Sequence, residues 1–339
     1  MPDQSPQHHT HPSQKLTSLR ILQINLNKSE KAHLELINNI KAKDWDIVLV
    51  QEPHIIGHFN TIRTPTNFRP VFPDDRGRND KHIRSLIWVS TALGTRHWKI
   101  IGVPGSNDIT AIQLSGEYGK LTIINVYNEC SSPRVELALS AFLRRNAGDL
   151  LTENSNMLWA GDFNRHHPLW NRDEDVHLFT TQALASAGRL ISILADYDMV
   201  MPLPKGIPML EHMVTKKFSR PDNVFCTPDL QDCITKCEVN KKLRPPCTDH
   251  FPIVTHLTLA QSLSPSSHNF NFRDTDWEIF RKELKKNITL IPPPLSHHFR
   301  ITTHKSGGRP HQFTEGNHRI LRQTEQATAR RKKMVEQRP

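Results

Sequence analysis

Asp162 and Asn164 sit two residues apart in Trp159-Ala160-Gly161-Asp162-Phe163-Asn164-Arg165-His166-His167, a carboxylate and a carboxamide at the end of an apolar run. Met157-Leu158-Trp159-Ala160 predicts a buried strand, and Gly161-Asp162-Phe163-Asn164 predicts its exit turn. A carboxylate fixed at a strand end can take a proton from water, and a neighbouring amide can orient that water. Taken alone, Gly-Asp-Phe-Asn is also the ordinary chemistry of a turn.

Other strand ends carry the same kinds of group. Ile21-Leu22-Gln23-Ile24-Asn25-Leu26-Asn27 ends in two alternating asparagines, and Asp46-Ile47-Val48-Leu49-Val50-Gln51-Glu52-Pro53 ends in a glutamate stopped by proline. Thr122-Ile123-Ile124-Asn125-Val126-Tyr127-Asn128 brings Tyr127. Arg220-Pro221-Asp222-Asn223-Val224-Phe225 brings Asp222, and Thr248-Asp249-His250-Phe251-Pro252 brings Asp249 and His250. Every one of these groups is of a type that binds magnesium or phosphate, and independent turns rarely give such a set.

Each has a plainer alternative. Asn25 and Asn27 could cap the helix that begins near Ser29. Glu52 could be a solvated strand end, Tyr127 a core residue, Asp222 a turn residue and His250 a surface histidine. His166 and His167 are neighbours in sequence and rarely point at one ion, so DNA contact or packing is expected of them.

In this order the motifs resemble the endonuclease/exonuclease/phosphatase superfamily, the fold of abasic-site endonucleases, pancreatic-type deoxyribonuclease and inositol polyphosphate phosphatases. A narrower likeness rests on Gln23-Ile24-Asn25-Leu26-Asn27-Lys28-Ser29, Val50-Gln51-Glu52-Pro53-His54, Gly161 to Trp170, Arg220 to Phe225, and Asn271-Phe272-Arg273-Asp274-Thr275-Asp276-Trp277. These stretches are similar to the endonuclease domain that precedes the reverse transcriptase in fungal non-LTR retrotransposons. The resemblance covers residues 18 to 290 or so.

It implies a division of labour among the named residues. A phosphodiester is an anion that repels hydroxide, so its hydrolysis needs charge neutralised, a nucleophile supplied and the departing oxygen stabilised. Glu52 would hold magnesium, with Asn25 and Asn27 beside it and Asp249 facing it; manganese could substitute. Hard oxygen donors suit such an ion, and no Cys/His cluster competes for a softer one. Asp162 would activate or orient the attacking water, supported by Asn164. His250 would donate to the scissile phosphate while Asp222 accepts from its other ring nitrogen and favours imidazolium. Tyr127 would touch the phosphate through its hydroxyl.

Composition agrees with a nucleic-acid enzyme. The 339 residues can bury one large core and leave a tail. No apolar run reaches the ~18–20 residues of a membrane span, so no membrane partner is expected, nor any small-molecule cofactor. Residues 1–17, rich in His, Gln, Pro and Ser, read as a disordered leader rather than a secretion signal. Five cysteines with no C-x-x-C pair predict reduced thiols. Of the net charge of +10, +7 lies from Arg300 onward, including Arg330-Arg331-Lys332-Lys333. That run could serve nuclear import or phosphate contact, or simply be the solvated end of a helix. An intracellular, nuclear location is therefore expected.

Strand and helix signals alternate to predict an α/β fold. Strands are expected over 19–26, 46–51, 84–90, 97–102, 109–115, 120–127, 156–160, 199–201, 222–226, 234–239 and 252–259. Helices are expected over 30–42, 133–146 (with Ser132 as N-cap) and 179–196, and residues 52–82 as a long loop that could contact DNA. The resemblance implies that these form a four-layer α/β sandwich, two packed sheets flanked by helices, DNase I-like, over residues 18–259. A Ser/Pro linker follows over 260–275, then a basic, partly helical tail over 276–339, with Trp277, Phe280 and Leu284 at helical spacing. The tail departs from the family's continuation, which suggests a truncated or altered copy without a polymerase.

The function these features imply is magnesium-dependent nicking of DNA to leave a 3′-hydroxyl, as in target-primed retrotransposition. An abasic-site nuclease, another phosphoesterase of the same fold, or a dead remnant that only binds nucleic acid are the alternatives.

Overall fold

A computed structural model describes residues 16–41, 43–57, 61–74, 82–259, 278–279, 281–282 and 285. The chain divides into two units, Met1–Ser262 and Leu263–Pro339. Described positions of the second unit are helical. Leader residues 1–15, the linker 260–275, the apolar triad Trp277, Phe280 and Leu284, and the basic run at 330–333 lie outside the described residues.

In the first unit the chain runs β1 (Ser18–Asn25), α1 (Glu30–Asn39), β2 (Ile47–Gln51), β3 (Phe68–Val71), β4 (Ser85–Ser90), β5 (Trp98–Ile101), β6 (Ile109–Gly116) and β7 (Gly119–Tyr127). It continues through α2 (Arg134–Arg145), α3 (Ala147–Leu150), β8 (Ser155–Asp162), α4 (Thr181–Asp196), β9 (Leu210–Glu211), β10 (Phe218–Ser219), β11 (Asp222–Cys226), α5 (Pro228–Gln231), β12 (Ile234–Val239) and β13 (Ile253–Thr258). One sheet has the order β12-β13-β1-β2-β4-β3 and a second β11-β8-β7-β6-β5, each mixing parallel and antiparallel pairs.

Side chains alternate across a strand, and that periodicity builds the layers. Leu19 and Ile21 of β1 meet Leu121 and Ile123 of β7, and Leu158 and Ala160 of β8, in a core between the two sheets. The opposite face of the first sheet, with Leu22, Ile24 and Val50, packs on Ala32 and Leu36 of α1. The opposite face of the second, with Ile124, Met157 and Trp159, packs on α2 and α4 through Leu139, Phe142, Ala187 and Leu190. The four layers expected from the sequence are present. Continuing the inward-facing register beyond Ile21, Ile123 and Ala160 delivers Asn25, Tyr127 and Asp162 to the rim of the inter-sheet core.

Several local expectations are corrected. Ser29 caps α1 by accepting from the Ala32 amide at 3.2 Å, a contact worth about 1 kcal/mol, so neither Asn25 nor Asn27 is the cap. Pro133, not Ser132, precedes the first turn of α2. The long loop after Glu52 contains β3, a short edge strand that the Pro- and Asn-rich sequence conceals. Gly161 and Asp162 are not an exit turn but the last two residues of β8, paired with Val126 and Tyr127 on one side and with Asn223 and Asp222 on the other. Gly161 lies at φ +150°, and a Cβ there would stand 1.9 Å from the Val126 carbonyl oxygen, so only glycine lets β8 run on to its carboxylate. Predicted strand 199–201 is a single bridge from Val200 to Cys226, and the hairpin of β9 and β10 went unforeseen. All five cysteines are free thiols.

Candidate active site

Asp162 and His250 face each other at this rim, each less than a tenth exposed. Asp162 Oδ2 accepts from Asn25 Nδ2 at 2.9 Å, and Oδ1 accepts from the Asn164 amide at 3.0 Å. Asn25 thus reaches from the first sheet to a carboxylate on the second. Its own Oδ1 accepts from the Asn27 amide at 2.8 Å, which fixes the turn at the end of β1. Burial and the nearby Asp222 carboxylate push the Asp162 carboxyl up to about 7, against the pull of His250 and Asn25.

His250 Nδ1 lies 2.7 Å from Asp222 Oδ2, and its Nε2 is 4.0 Å from Asp162 Oδ2 and 3.8 Å from Asp249 Oδ1. Burial opposes charge on the ring, but Asp222, Asp162 and Asp249 outweigh it and hold the imidazolium up to about 9. Asp222 is fixed in turn: its Oδ1 accepts from Gln23 Nε2 at 2.9 Å, and its backbone pairs with Asp162 across the β11–β8 ladder. Thr248 Oγ1 donates to the Asn25 carbonyl at 2.7 Å and accepts from the His250 amide at 3.3 Å, anchoring the histidine segment to β1.

Glu52 closes the other side. It has a left-handed φ of +44°, as do Asn27 (+49°) and Lys28 (+56°) facing it. Such values are uncommon for side-chain-bearing residues and concentrate at functional loops. Lys28 Nζ lies 3.0 Å from Glu52 Oε1, and the Lys28 amide donates to the Glu52 carbonyl at 2.9 Å. Tyr127 hydrogen-bonds Glu52 through its side chain; burial, then Glu52 and Asp162, push its phenol upward, so it stays a neutral donor. Asn27 Nδ2 approaches Asp249 Oδ1 at 3.4 Å. Among the described residues no three His, Cys, Asp or Glu side chains form a cluster suited to a metal. Magnesium usually takes only one or two carboxylates and keeps several waters, and the hard oxygens of Glu52, Asn27 and Asp249 fit that need.

All nine residues expected from the sequence are therefore at one rim. Asn164 is turned differently from expectation. At φ +48° its amide Nδ2 donates to the Asn128 carbonyl at 2.9 Å, bracing the loop after β7. His166 and His167 are turn and packing groups: His166 Nδ1 lies 3.4 Å from Asn171 Nδ2, and His167 Nδ1 accepts from the Leu169 amide at 3.2 Å with its ring against Trp170. The buried Arg165–Glu136 pair ties this loop to α2, and losing one partner of such a pair costs about 3–5 kcal/mol.

Sequence reasoning missed Gln23, Thr248, Lys28 and Arg84, whose guanidinium lies 4.8 Å from the Tyr127 ring centroid while paired with Asp108 and Glu129. Gln23 carried a signal: a polar side chain two residues before Asn25, on the inward face of an otherwise apolar strand.

With this geometry in hand, likenesses to known proteins are informative. The sequence model of a family described as endonuclease-reverse transcriptase matches residues 121–254, the stretch that carries Tyr127, Asp162, Asn164, Asp222, Asp249 and His250. The endonuclease domain of TRAS1, a telomere-specific non-LTR retrotransposon, is 21% identical at a TM-score of 0.54, covering 70% of this chain and 98% of that one. AP endonuclease LMAP from Leishmania major is 13% identical at 0.58, covering 71% and 88%. The catalytic domain of Xenopus laevis APE2 is 16% identical at 0.51, covering 71% and 92%. No curated protein matches. The chain has the DNase I-like fold of these endonucleases, and over residues 121–254 it is similar to the endonuclease-reverse transcriptase family.

Proposed function

We propose that this chain is a metal-dependent endonuclease that nicks DNA and leaves a 3′-hydroxyl, of the kind a retrotransposon needs to prime reverse transcription. The observation that carries this is the pair of buried dyads, Asn25–Asp162 and Asp222–His250, brought to 4.0 Å of each other from two sheets. Between pH of about 7 and about 9 Asp162 is ionised and His250 charged, so one can take a proton while the other steadies an anion.

Asp162 would remove the proton of the attacking water, held in place by Asn25 and the Asn164 amide. His250 would direct Nε2–H at the phosphate oxygens, its ring oriented by Asp222, and Tyr127 would add a neutral donor. Glu52, with Asn27 and Asp249 alongside, would hold magnesium, which when bound neutralises phosphate charge and stabilises the departing oxygen.

Nicking of supercoiled plasmid by the full chain, in magnesium and in EDTA, beside Glu52→Ala, tests this. Magnesium-dependent nicking lost in Glu52→Ala is expected. Folded protein that leaves the plasmid supercoiled while still shifting it in a gel would sink the nuclease reading in favour of a binding remnant.

A further inference from the structure

We propose that His33, in the first turn of α1, is a positioning residue for Glu52: its imidazole holds the chain just beyond Glu52 and so sets how tightly that carboxylate takes a divalent cation. The inference rests on the metal reading of Glu52. The ring is 2% exposed, and its two nitrogens meet the backbone of one loop at two points. Nδ1 accepts from the His54 amide at 3.0 Å, and Nε2 lies 3.0 Å from the Arg63 carbonyl oxygen. A nitrogen that accepts from an amide carries a lone pair, and one that faces a carbonyl must carry the proton. The pairing therefore selects a single neutral tautomer. Burial keeps the ring uncharged, with its pKa lowered to about 4.

The point of fastening lies two residues from Glu52. Glu52 occupies the left-handed region at φ +44°, a conformation that persists only where its surroundings impose it. Before it, the Glu52 amide donates to the Arg84 carbonyl at 3.0 Å, and the Glu52 carbonyl accepts from the Lys28 amide at 2.9 Å. After it, Pro53 fixes one backbone angle, and the next amide is the one that His33 receives. The Ile56 amide donates to the Thr61 carbonyl at 2.8 Å, so the imidazole and this bridge close the same loop at successive points. The His33 ring packs on Trp88 with 5.5 Å between centroids, which fixes its plane against the first sheet. Lys28 precedes the Ser29 cap of α1 and His33 follows it, so one helix start grips Glu52 from both sides. Without an acceptor at Nδ1 the His54 amide can turn, and the strained Glu52 backbone can relax away from Asn27 and Asp249.

The test is uptake of manganese by the full chain without DNA, read as loss of the free-ion EPR signal. In His33→Asn the new Oδ1 stands where Nδ1 was and keeps the His54 contact. In His33→Gln the new Nε2 stands where the ring Nε2 was and keeps the Arg63 contact. Both variants give up the same ring packing on Trp88, so a shared loss of stability cannot separate them. His33→Asn should retain the wild-type manganese concentration at half occupancy, while His33→Gln should raise it by about three- to tenfold, the worth of one neutral hydrogen bond. Equal half-occupancy in the two variants, or weaker uptake by His33→Asn than by His33→Gln, would overturn the inference. Glu52→Ala keeps the two readings apart. Uptake that Glu52→Ala does not reduce removes the metal site at Glu52 and this inference with it. Uptake that depends on Glu52 but is equal in His33→Asn and His33→Gln removes the inference alone.

Discussion

The two sides of the cleft are built on different principles. The Asp162–His250 side is buried and over-determined. Asp162 accepts from Asn25 and the Asn164 amide, Asp222 from Gln23, and the His250 ring is held through Nδ1 by Asp222; Asp162 and Asp222 lie at the ends of strands whose other residues are core. The Glu52 side rests on three left-handed positions, Asn27, Lys28 and Glu52, and among the described residues its ion-pair partner is Lys28, whose side chain is 66% exposed. A proton-transfer pair loses rate when displaced by fractions of an ångström, so it belongs on rigid strands. A hydrated ion with a few protein ligands tolerates a looser frame.

That contrast can be broken first where it is strongest. Asp162→Asn and His250→Ala should each lower plasmid nicking by about 10²–10⁴-fold; the isosteric Asp162→Asn should keep the melting temperature near wild type, whereas His250→Ala leaves Asp222 buried without its partner and should lower it. Near wild-type cleavage in either variant would refute the assignment of the rigid half.

A smaller and more diagnostic effect is expected one step back. Asp222 holds the His250 charge that burial opposes. In wild type, cleavage should rise to about pH 7 as Asp162 ionises and fall above about pH 9 as His250 loses its proton. A bound divalent cation favours the carboxylate and shifts the acidic limb downward. In Asp222→Asn the basic limb should move towards the ordinary histidine range near ~6.5, leaving about 3% of the ring charged at pH 8 and a rate about thirtyfold lower. An unshifted basic limb in the pH–rate profile would mean that Asp222 orients the ring without setting its charge.

Much of the rigid half was legible because strand periodicity and side-chain chemistry coincide there. Leu158, Ala160 and Asp162 alternate inward, as do Leu121, Ile123 and Tyr127, so the reading that found the core also led to the polar groups at this rim. What was lost depended on contacts with no local trace. Asn164 was expected to support Asp162, which its backbone amide does, while its side-chain Nδ2 also donates to the Asn128 carbonyl, a contact set by a distant loop. Thr248 anchors β1 across 223 positions of sequence. The β9–β10 hairpin is two short strands without apolar alternation, and its place is set by backbone bonds to Asp249 and Phe251.

The smallest effect tests the looser half. Lys28 Nζ sits 3.0 Å from Glu52 Oε1, in the position of a cation that competes for this carboxylate. With the lysine 66% exposed and screened by water, though Glu52 is buried, such a pair is worth about 1 kcal/mol or less. Lys28→Ala should therefore lower the magnesium concentration for half-maximal nicking by up to about fivefold, with the saturated rate unchanged. The same substitution should leave the pH limits of the Asp162–His250 pair where they are, because Lys28 is not among the groups that set either charge. A magnesium titration of wild type beside Lys28→Ala reads both quantities. A lower saturated rate with an unaltered magnesium requirement would show that Lys28 meets the substrate, and that the two sides of the cleft share the phosphate more evenly than their construction implies.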